Sequence, residues 1–363
     1  MNLTYLMETA GHEQFSVFTS PDGQCRAFVA IHDTTLGPGM GGVRRWPYQS
    51  EELAVRDALR LSEAMTYKAA IADLPIGGAK AVIWCEPNTA PSPTEAYTFG
   101  RFIEKLAGRY IAAPDVGTNE KYMAWMGEST RYVAGEATER GGTGSPSPWT
   151  AVGVLAGIRA CIRRLDGTES LAGKTVAVQG AGAVGGRLAE LLAEAGAHVR
   201  LADVNTKRVY EIANRYPGMI VPISADDVVT CGCDVFAPCA LGGVISEQVI
   251  PLMRCRIVAG SANNPLCNPS ADAGMLADHD ILYAPDFVIN AGGVIHVGGS
   301  WLGWSRHDCQ QRIEAIGQTL RGVFRQAGSN GNTHDEALRL ARHRLLSAQT
   351  QTTNRRANVV ATN

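Results

Sequence analysis

Two lysines, Lys68 and Lys80, lie in the almost uncharged stretch 64–80 (AMTYKAAIADLPIGGAK), where Asp73 is the only other charged residue. Lysines are rarely buried unless they are paired or functional. Apolar surroundings lower the pKa of a lysine because they disfavour the ammonium form. Lys80 is therefore a candidate general base, and Lys68 is a candidate clamp for an anionic group. The alternative is that both lysines point outwards from a helix and a turn.

A carboxylate, Asp115, is the next candidate for chemistry. It follows a predicted strand at Tyr110–Ala113, in the sequence Ala113-Pro-Asp-Val-Gly-Thr. Functional side chains are often found where a rigid element gives way to a loop. The alternative is a turn aspartate that hydrogen-bonds its own backbone.

A glycine-rich turn, Gly180-x-Gly182-x-x-Gly185, follows a predicted buried strand at Thr175–Val178. The first glycine permits a tight turn, the second lets backbone N–H groups reach a pyrophosphate, and the third allows close packing of helix on strand. The N-terminus of the following helix, predicted at Arg187–Ala195, favours phosphate charge. The pattern predicts a Rossmann unit that binds a dinucleotide.

The choice of cofactor depends on Asp203, which ends the next predicted strand, His198–Ala202. Its carboxylate would repel the 2′-phosphate of NADP, so NAD is the expected cofactor. Lys207 and Arg208 lie close behind and keep NADP as an alternative.

The length of 363 residues predicts two domains, because single cores rarely grow so large. The net charge of -2, without a basic block, argues against nucleic acid as a partner. Nine irregularly spaced cysteines, with no pair of C-x-x-C elements, suggest reduced thiols and no metal site. The N-terminus lacks a signal-peptide pattern, and no apolar run is long enough to span a bilayer, so we expect a cytoplasmic protein without membrane contact.

The elements that position the candidate residues can be predicted in outline. Residues 1–50 are predicted as strands, apart from Leu36–Val43, whose glycines predict a loop in which backbone approaches something closely. A helix is predicted at Ser50–Thr66, with Ser50 as N-cap and Lys68 just beyond its end. Lys80 would begin a strand at Ala81–Trp84.

The second half begins with a predicted hinge at residues 135–149, which are rich in glycine, serine and proline. Thr150 would cap a helix at Ala151–Leu165. Later strands would end in polar residues that face a cofactor crevice, among them Asn263, Asn264 and Asn290. Helices are predicted at 306–325 and 333–347, followed by a frayed polar tail.

Taken together, these motifs resemble the amino-acid dehydrogenases of the leucine, valine, phenylalanine and tryptophan group, distant relatives of glutamate dehydrogenase. The resemblance covers nearly the whole chain. The motifs that carry it are Leu36-Gly-Pro-Gly-Met-Gly-Gly, Met65-Thr-Tyr-Lys68, Pro75-Ile-Gly-Gly-Ala-Lys80, Pro114-Asp115-Val-Gly-Thr, Gln179-Gly-Ala-Gly-Ala-Val-Gly, Phe236-Ala-Pro-Cys-Ala, Ala262-Asn-Asn and Asn290-Ala-Gly-Gly-Val-Ile.

The resemblance implies an α/β fold of two domains separated by a cleft. An N-terminal α/β domain at about 1–140 would bind substrate and form a homo-oligomer, with the helix of about 333–350 packing back on it. A Rossmann domain at 150–330 would bind NAD, and 350–363 would be a polar tail. The implied reaction is reversible oxidative deamination of an L-amino acid to its 2-oxo acid and ammonia.

The resemblance also assigns roles to the candidate residues. Lys68 would hold the substrate carboxylate. Lys80 would be the general base that activates water to attack an iminium intermediate, and Asp115 would exchange protons with the substrate nitrogen. The backbone around Gly41 and Gly42 would help to seat the substrate.

Further roles belong to the second half of the chain. Asn263 would contact both cofactor and substrate, Asn290 would support the substrate carboxylate, and Thr150 would orient the nicotinamide amide. The implied cofactor-binding set is Thr150, Gly180, Gly182, Ala183, Val184, Gly185, Asp203, Cys239, Ala240 and Asn263.

The implied side-chain pocket is apolar, which argues against glutamate as substrate. Its lining would be Met40, Ala113, Val294 and Val297. Ala113 and Val294 resemble the leucine and valine enzymes, whereas Leu302-Gly-Trp-Ser resembles the phenylalanine branch. One methylene changes selectivity by only about 1–3 kcal/mol. Because this difference is small, Ala113 and Val294 favour leucine or valine only slightly, and phenylalanine or tryptophan is the alternative.

One departure from the family pattern lies beside Lys80. Many members have glycine where this chain has Ala79. Its methyl group narrows the available backbone angles, and we expect it to be tolerated. Two rival interpretations are a hydroxy-acid dehydrogenase, for which none of the eight histidines stands out, and a non-catalytic NAD-binding sensor, which would not need the two lysines and Asp115.

Overall fold

The computed structural model describes residues 1–21, 23, 25–136, 144–329 and 331–361, with side chains up to residue 350. The chain forms two compact units. Unit 1 comprises Met1–Ser145, Val297–Ser305 and Ala341–Asn363, and unit 2 comprises Pro146–His296 and Arg306–Leu340. The predicted hinge at 135–149 includes residues 137–143, which lie outside the described residues.

Unit 1 is an α/β unit built on one sheet. Among its described residues, five strands pair in the order β1-β2-β4-β3-β5, in which β3 is parallel to both of its neighbours. The elements are α1 (Leu3–Ala10), β1 (Gln14–Thr19), β2 (Arg26–Asp33), β3 (Gly39–Trp46), α2 (Glu51–Ile71), β4 (Gly77–Trp84), α3 (Pro93–Lys105), β5 (Tyr110–Pro114) and α4 (Glu120–Gly127).

The two faces of this sheet carry separate cores, because side chains alternate along each strand. On one face, Val82 of β4 packs with α2 residues such as Ala54 and Val55. On the other face, Ala79 and Ala81 of the same strand pack in a core with α3 and α4. Lys80, which alternates with these alanines, therefore projects on the face that α2 covers.

The glycine-rich stretch Leu36–Val43 is not a loop, as its glycines predicted, but leads into strand β3. The predicted close approach of backbone is confirmed. A β-carbon on Gly41 would stand 1.7 Å from the carbonyl oxygen of Ala79 on the neighbouring strand. The glycines therefore allow close contact with β4 rather than turning the chain.

Two further boundaries in unit 1 differ from prediction. Helix α2 begins after Ser50, which is its N-cap as predicted: Ser50 Oγ accepts a hydrogen bond from the N–H of Leu53. The helix does not end at Thr66, as predicted, but continues to Ile71. Residues 67–71 contain neither glycine nor proline to stop it, so Lys68 lies in its last turn. Strand β4 begins at Gly77, so Lys80 lies within the strand. The sequence prediction also missed α1 and α4.

Unit 2 contains a parallel sheet of Rossmann type. Its six described strands are ordered β11-β10-β9-β6-β7-β8, with β6 central. The elements are α5 (Ser147–Asp166), β6 (Thr175–Gln179), α6 (Ala183–Glu194), β7 (His198–Ala202), α7 (Thr206–Ala213), β8 (Ile220–Pro222), β9 (Val235–Pro238), β10 (Ile257–Val258), α8 (Pro269–Asp278), β11 (Leu282–Tyr283), α9 (Asp286–Ile289), α10 (Gly292–Trp301), α11 (Arg306–Glu314), α12 (Ile316–Ala327) and α13 (Thr333–Ala361).

The strands that carry the nucleotide fingerprint are those predicted, whereas several helix boundaries are corrected. Helix α5 begins at Ser147, so Thr150 lies in its first turn and is not its cap. Proline is compatible with the start of a helix, and Pro148 occupies that position. The helix predicted at 306–325 is divided into α11 and α12 at Ala315.

The final helix continues past residue 347, where the prediction ended it, to Ala361. Its last residues are polar but include glutamine, arginine and alanine, and neither proline nor glycine interrupts them. Helices α10 and α13 each pass from unit 2 into unit 1 along the chain. No helix in the described part of the chain is long and apolar enough to cross a membrane.

The contact between α2 and β4 gives a test of the fold. A β-carbon on Gly78 would lie 2.1 Å from Thr66 Oγ1 and 2.2 Å from the Thr66 backbone nitrogen. Gly78→Ala should therefore lower the free energy of unfolding by about 3 kcal/mol. Gly322→Ala is the control, because a β-carbon there meets no atom within 4 Å and alanine favours a helix by about 0.5–1 kcal/mol. Denaturant titration of both variants checks the prediction, and equal effects would contradict it.

Candidate active site

A buried ion pair joins two of the predicted catalytic residues in unit 1. Lys80 Nζ donates a hydrogen bond of 2.6 Å to Asp115 Oδ2. Lys80 is only 5% exposed, and Asp115 follows strand β5, two strands away from β4 in the sheet. The backbone N–H of Asp115 donates to Thr118 Oγ1 at 3.0 Å, so a short turn fixes the carboxylate. Sheet pairing thus brings together residues that are 35 positions apart.

Glycine provides the space that this pair occupies. Gly42 lies on β3, between the strands that carry the two charges. A β-carbon on Gly42 would stand 2.5 Å from Asp115 Cβ and 3.1 Å from Lys80 Nζ. Its neighbour Gly41 accepts a hydrogen bond of 2.8 Å at its carbonyl oxygen from the hydroxyl of Tyr110. Both glycines predicted to seat the substrate therefore lie beside the pair of Lys80 and Asp115.

An arginine that the sequence analysis did not select completes the cluster. Arg44 Nε donates to Asp115 Oδ2 at 3.0 Å, and its Nη1 donates to Asp57 Oδ2 at 2.9 Å. Asp57 also accepts a 2.5 Å hydrogen bond from the Tyr48 hydroxyl. The available signal was the pair Arg44-Arg45, one residue after the glycines. Of the two, Arg45 instead pairs with Glu95 at 2.9 Å.

Burial and charge set the protonation tendencies of the pair. Burial lowers the pKa of Lys80, and nearby Arg44 lowers it further, although Asp115 opposes the shift. Burial tends to raise the pKa of Asp115, but the charges of Lys80 and Arg44 outweigh burial and hold it at about 2. A lysine whose pKa is lowered, next to a carboxylate that stays ionised, is a combination suited to proton transfer.

The other predicted substrate residues of unit 1 lie near this cluster or on the same elements. Lys68 is half-buried in the last turn of α2. Ala113 pairs with Gly42 across β5 and β3. Met40 and Val297 are buried, and Gly298 lies so close that its β-carbon would stand 3.5 Å from Met40 Sδ. Met40 and the segment after Val297 therefore share one apolar region.

In unit 2, the glycine turn has the geometry that a pyrophosphate site needs. Gly180 has φ +101°, and a β-carbon on Gly185 would lie 2.0 Å from the carbonyl oxygen of Gly180. A β-carbon on Gly182 would meet no atom within 4 Å, and no side chain caps α6, whose first turn contains Ala183 and Val184. The N–H groups of that turn are thus available to an anion.

The ends of the neighbouring strands border this turn. Asp203 Oδ2 accepts a hydrogen bond of 2.6 Å from the N–H of Ala181, inside the glycine turn. On the other side, a β-carbon on Gly180 would be 3.0 Å from the backbone of both Cys239 and Ala240. The predicted cofactor residues around β6, β7 and β9 are therefore brought together.

The predicted asparagines also lie together. Asn290 Nδ2 donates to Asn263 Oδ1 at 2.8 Å and to the carbonyl oxygen of Ser261 at 3.2 Å. Asn290 is a helix C-cap rather than a strand end. Its Oδ1 atom is buried and has no hydrogen-bond partner within the described ranges, so it is available to a ligand. Asp286, which was not predicted, fixes the neighbouring backbone by accepting from the N–H of Asn264 at 2.7 Å.

Thr150 and Val294 lie where α5 and α10 begin. A β-carbon on Gly293 would be 2.7 Å from Thr150 Oγ1, and one on Gly292 would be 2.3 Å from the carbonyl oxygen of Trp149. Val294 is half-buried in the first turn of α10. The two glycines thus let α10 start directly against the residue predicted to orient the nicotinamide.

The parallel sheet, the glycine turn and the acidic end of β7 place the protein among oxidoreductases that use a nicotinamide dinucleotide. Unit 1 adds a buried lysine–aspartate pair, a combination suited to amine chemistry. Comparison with known proteins identifies the family.

Two family models match most of the chain. The description "Glu/Leu/Phe/Val dehydrogenase, dimerisation domain" matches residues 12–132, and "Glutamate/Leucine/Phenylalanine/Valine dehydrogenase" matches residues 141–206 and 200–353. The chain is 42% identical to leucine dehydrogenase of Geobacillus stearothermophilus, over 95% of this chain and 94% of that relative. It is 40% identical to valine dehydrogenase of Streptomyces virginiae, over 89% and 90%.

A solved structure supports the same family. L-tryptophan dehydrogenase from Nostoc punctiforme superposes with a TM-score of 0.81 at 37% identity, covering 96% of this chain and 99% of that one. The chain belongs to the Glu/Leu/Phe/Val dehydrogenase family. It is an amino-acid dehydrogenase, of a family whose members generally depend on NAD or NADP, and the family membership predicted from its motifs is confirmed.

The ion pair predicts a specific pH dependence of stability. The pKa of Asp115 falls from 3.8 to about 2 on folding, and its side chain is 19% exposed, so ionised Asp115 should contribute about 2 kcal/mol. Because the folded pKa is lowered, this contribution is present above about pH 4 and is lost as the pH falls towards 2. Asp115→Asn should therefore destabilise the protein more at pH 5 than at pH 2.5.

Denaturant unfolding between pH 2.5 and 6 measures this difference. Asp226→Asn, at an exposed aspartate, controls for the loss of one negative charge. A stability deficit of Asp115→Asn that does not change with pH would show that the pair contributes no such linkage.

Proposed function

We propose that the protein catalyses the NAD-dependent, reversible oxidative deamination of a branched-chain L-amino acid, leucine or valine, to the 2-oxo acid and ammonia. The observation that carries the proposal is the buried 2.6 Å contact between Lys80 and Asp115 beside Gly42. A β-carbon at position 42 would collide with the side chain of Asp115, so the glycine there is what allows the two charged groups to meet.

Each group has a step that its chemistry supports. The ammonium group of Lys68 binds the substrate carboxylate, and Asp115 takes a proton from the substrate amino group. When bound, NAD would supply the acceptor for the hydride that leaves the substrate α-carbon. Neutral Lys80 then removes a proton from water as the water attacks the resulting iminium carbon. Asp115 returns its proton to the nitrogen, the C–N bond breaks and ammonia leaves. The hydroxyl proton of the carbinolamine passes to Asp115 as the C=O bond of the 2-oxo acid forms, and Asp115 and Lys80 then release their protons to solvent.

The unit 1 environment supports an apolar substrate side chain. Met40 and Val297 are almost fully buried, and Ala113 is half-buried on the strand that leads to Asp115. Ala113 leaves less room than glycine, which favours an aliphatic branch over an aromatic ring.

The environment of Asp203 supports NAD over NADP. Its carboxylate is hydrogen-bonded to the glycine turn, so its charge lies close to the expected ribose. Lys207 is 87% exposed and pairs with Glu211 at 4.0 Å, so its ammonium group is directed along α7 towards Glu211.

In unit 2, Asn290 Oδ1 is a buried acceptor available for substrate or cofactor, with Asn263 beside it. The dimerisation-domain match supports a homo-oligomer.

The direct test follows NADH formation by absorbance at alkaline pH, with leucine, valine, phenylalanine, tryptophan and glutamate as substrates and with NAD or NADP. We expect turnover with leucine and valine and NAD, and little with glutamate. A higher kcat/KM with phenylalanine or tryptophan would assign the aromatic branch of the family. Binding of NAD without turnover of any apolar amino acid would instead favour a sensor.

A variant separates catalysis from cofactor binding. Lys80→Ala should reduce kcat by at least about 100-fold, because general-base catalysis contributes about 10²–10⁴-fold, while the dissociation constant of NAD should remain nearly unchanged. Lys121→Ala, at an exposed lysine of α4 in the same unit, is the control and should retain activity. An equal loss of NAD affinity and turnover in Lys80→Ala would show that Lys80 is structural.

A further inference from the structure

Arg44 connects the catalytic pair to a second, non-catalytic carboxylate. Its side chain is 19% exposed and contacts Asp115 Oδ2 and Asp57 Oδ2 through different nitrogens, at 3.0 and 2.9 Å. Lys80 Nζ donates to the same oxygen of Asp115 at 2.6 Å. Asp115 Oδ2 thus accepts from two cations at once.

Other residues hold Arg44 in place from the far side. Asp57, on α2, accepts from the Tyr48 hydroxyl at 2.5 Å and from Arg60 Nη2 at 2.9 Å. The pKa of Tyr48 is raised by its burial and by its hydrogen bond to Asp57, so Tyr48 stays a donor. Asp57 is therefore anchored independently of the catalytic pair, and it fixes the guanidinium group of Arg44 between the two carboxylates.

The charges in this cluster do not balance. Lys80, Arg44 and Arg60 are cations, and Asp57 and Asp115 are the anions that face them. Tyr110, on β5, donates its hydroxyl to the carbonyl oxygen of Gly41 and stays neutral. Because a guanidinium group does not deprotonate in proteins, Lys80 is the cation of the cluster that can lose its proton.

We propose that Arg44 is a positioning residue: it orients the Asp115 carboxylate and keeps a fixed positive charge beside it while Lys80 alternates between its ammonium and neutral forms. This inference rests on the proposed function. When Lys80 is neutral, Asp115 would otherwise lack a cation, and burial would favour keeping the proton that Asp115 takes from the substrate. Arg44 supplies the charge that Lys80 no longer provides.

The choice of arginine follows from geometry. A guanidinium group presents Nε and Nη1 in a fixed plane and can donate to two carboxylates together. A lysine at this position would keep the charge but present a single nitrogen. Arg44→Lys and Arg44→Met therefore separate the effect of the charge from that of the bridge.

The experiment measures kcat and kcat/KM against pH for the wild type, Arg44→Lys, Arg44→Met and the control Arg56→Met, an exposed arginine of α2 paired with Glu52. In Arg44→Met, the removal of a like charge should shift the acid limb of kcat/KM to higher pH by about one unit and reduce kcat at least about 10-fold. Arg44→Lys should keep the limb in place while kcat falls. The dissociation constant of NAD should not change in any variant.

A second readout does not require turnover. Carbamylation by cyanate modifies neutral amines, so mass spectrometry of the Lys80 peptide at a series of pH values reports where Lys80 loses its proton. In Arg44→Met this midpoint should move to higher pH, in parallel with the kinetic limb. If Arg44→Met does not fold, Asp57→Asn keeps the guanidinium charge but removes its anchor. It should lower kcat and move the midpoint to lower pH, because the Asp57 carboxylate raises the pKa of Lys80.

Unshifted pH profiles and an unshifted carbamylation midpoint in Arg44→Met, with kcat within twofold of the wild type, would overturn the inference. A fall in thermal stability alone, with both profiles unchanged, would also overturn it, because it would make Arg44 a structural residue. Failure of the proposed function is distinguishable: the wild type itself would then show no turnover, while the midpoint of Lys80 could still be compared between variants.

Discussion

The buried contact between Lys80 and Asp115 is the constraint on which the rest of unit 1 depends. A charged amine that is 5% exposed is costly in a sheet unless an ionised partner lies within hydrogen-bond distance. That partner comes from the end of β5, across β3, so β3 must carry a glycine at the position between them. Three features therefore place an ionised partner beside the buried Lys80. They are the strand order β4-β3-β5, Gly42 and the turn fixed by Thr118.

The sequence identified the charges but not how the backbone arranges them. Lys80 and Asp115 stood out because charged residues in apolar or strand-end settings are uncommon. The strand character of β3 could not be seen, because its glycines hide the alternation of side chains that marks a strand. Asp57 and Arg44 were missed for another reason. Each is an ordinary surface charge in its local sequence, and only the packing of α2 on the sheet makes them neighbours.

Unit 2 was more predictable because its signals are local. The glycine turn, the strands on either side and Asp203 lie within one short stretch, and the structure brings them together as predicted. The contacts of Asn290 and of the glycines at the start of α10 depend on elements far apart in the chain. Asn290 was selected as a polar residue at a predicted strand end, but its role, and the glycines themselves, came only through the family resemblance.

The close approach of Ala79 and Gly39 limits which residues related sequences can have at these two positions. Ala79 lies on the face of β4 opposite Lys80, it is not among the residues with positive φ, and a β-carbon on Gly39 would stand 2.9 Å from its methyl group. The methyl group therefore occupies core space and not the site. Since the two positions cannot both carry a side chain without movement of a strand, an ancestor with glycine at 79 could acquire the methyl group only while residue 39 was glycine. The order of substitutions at these two positions is thus restricted by the packing of one strand against the next.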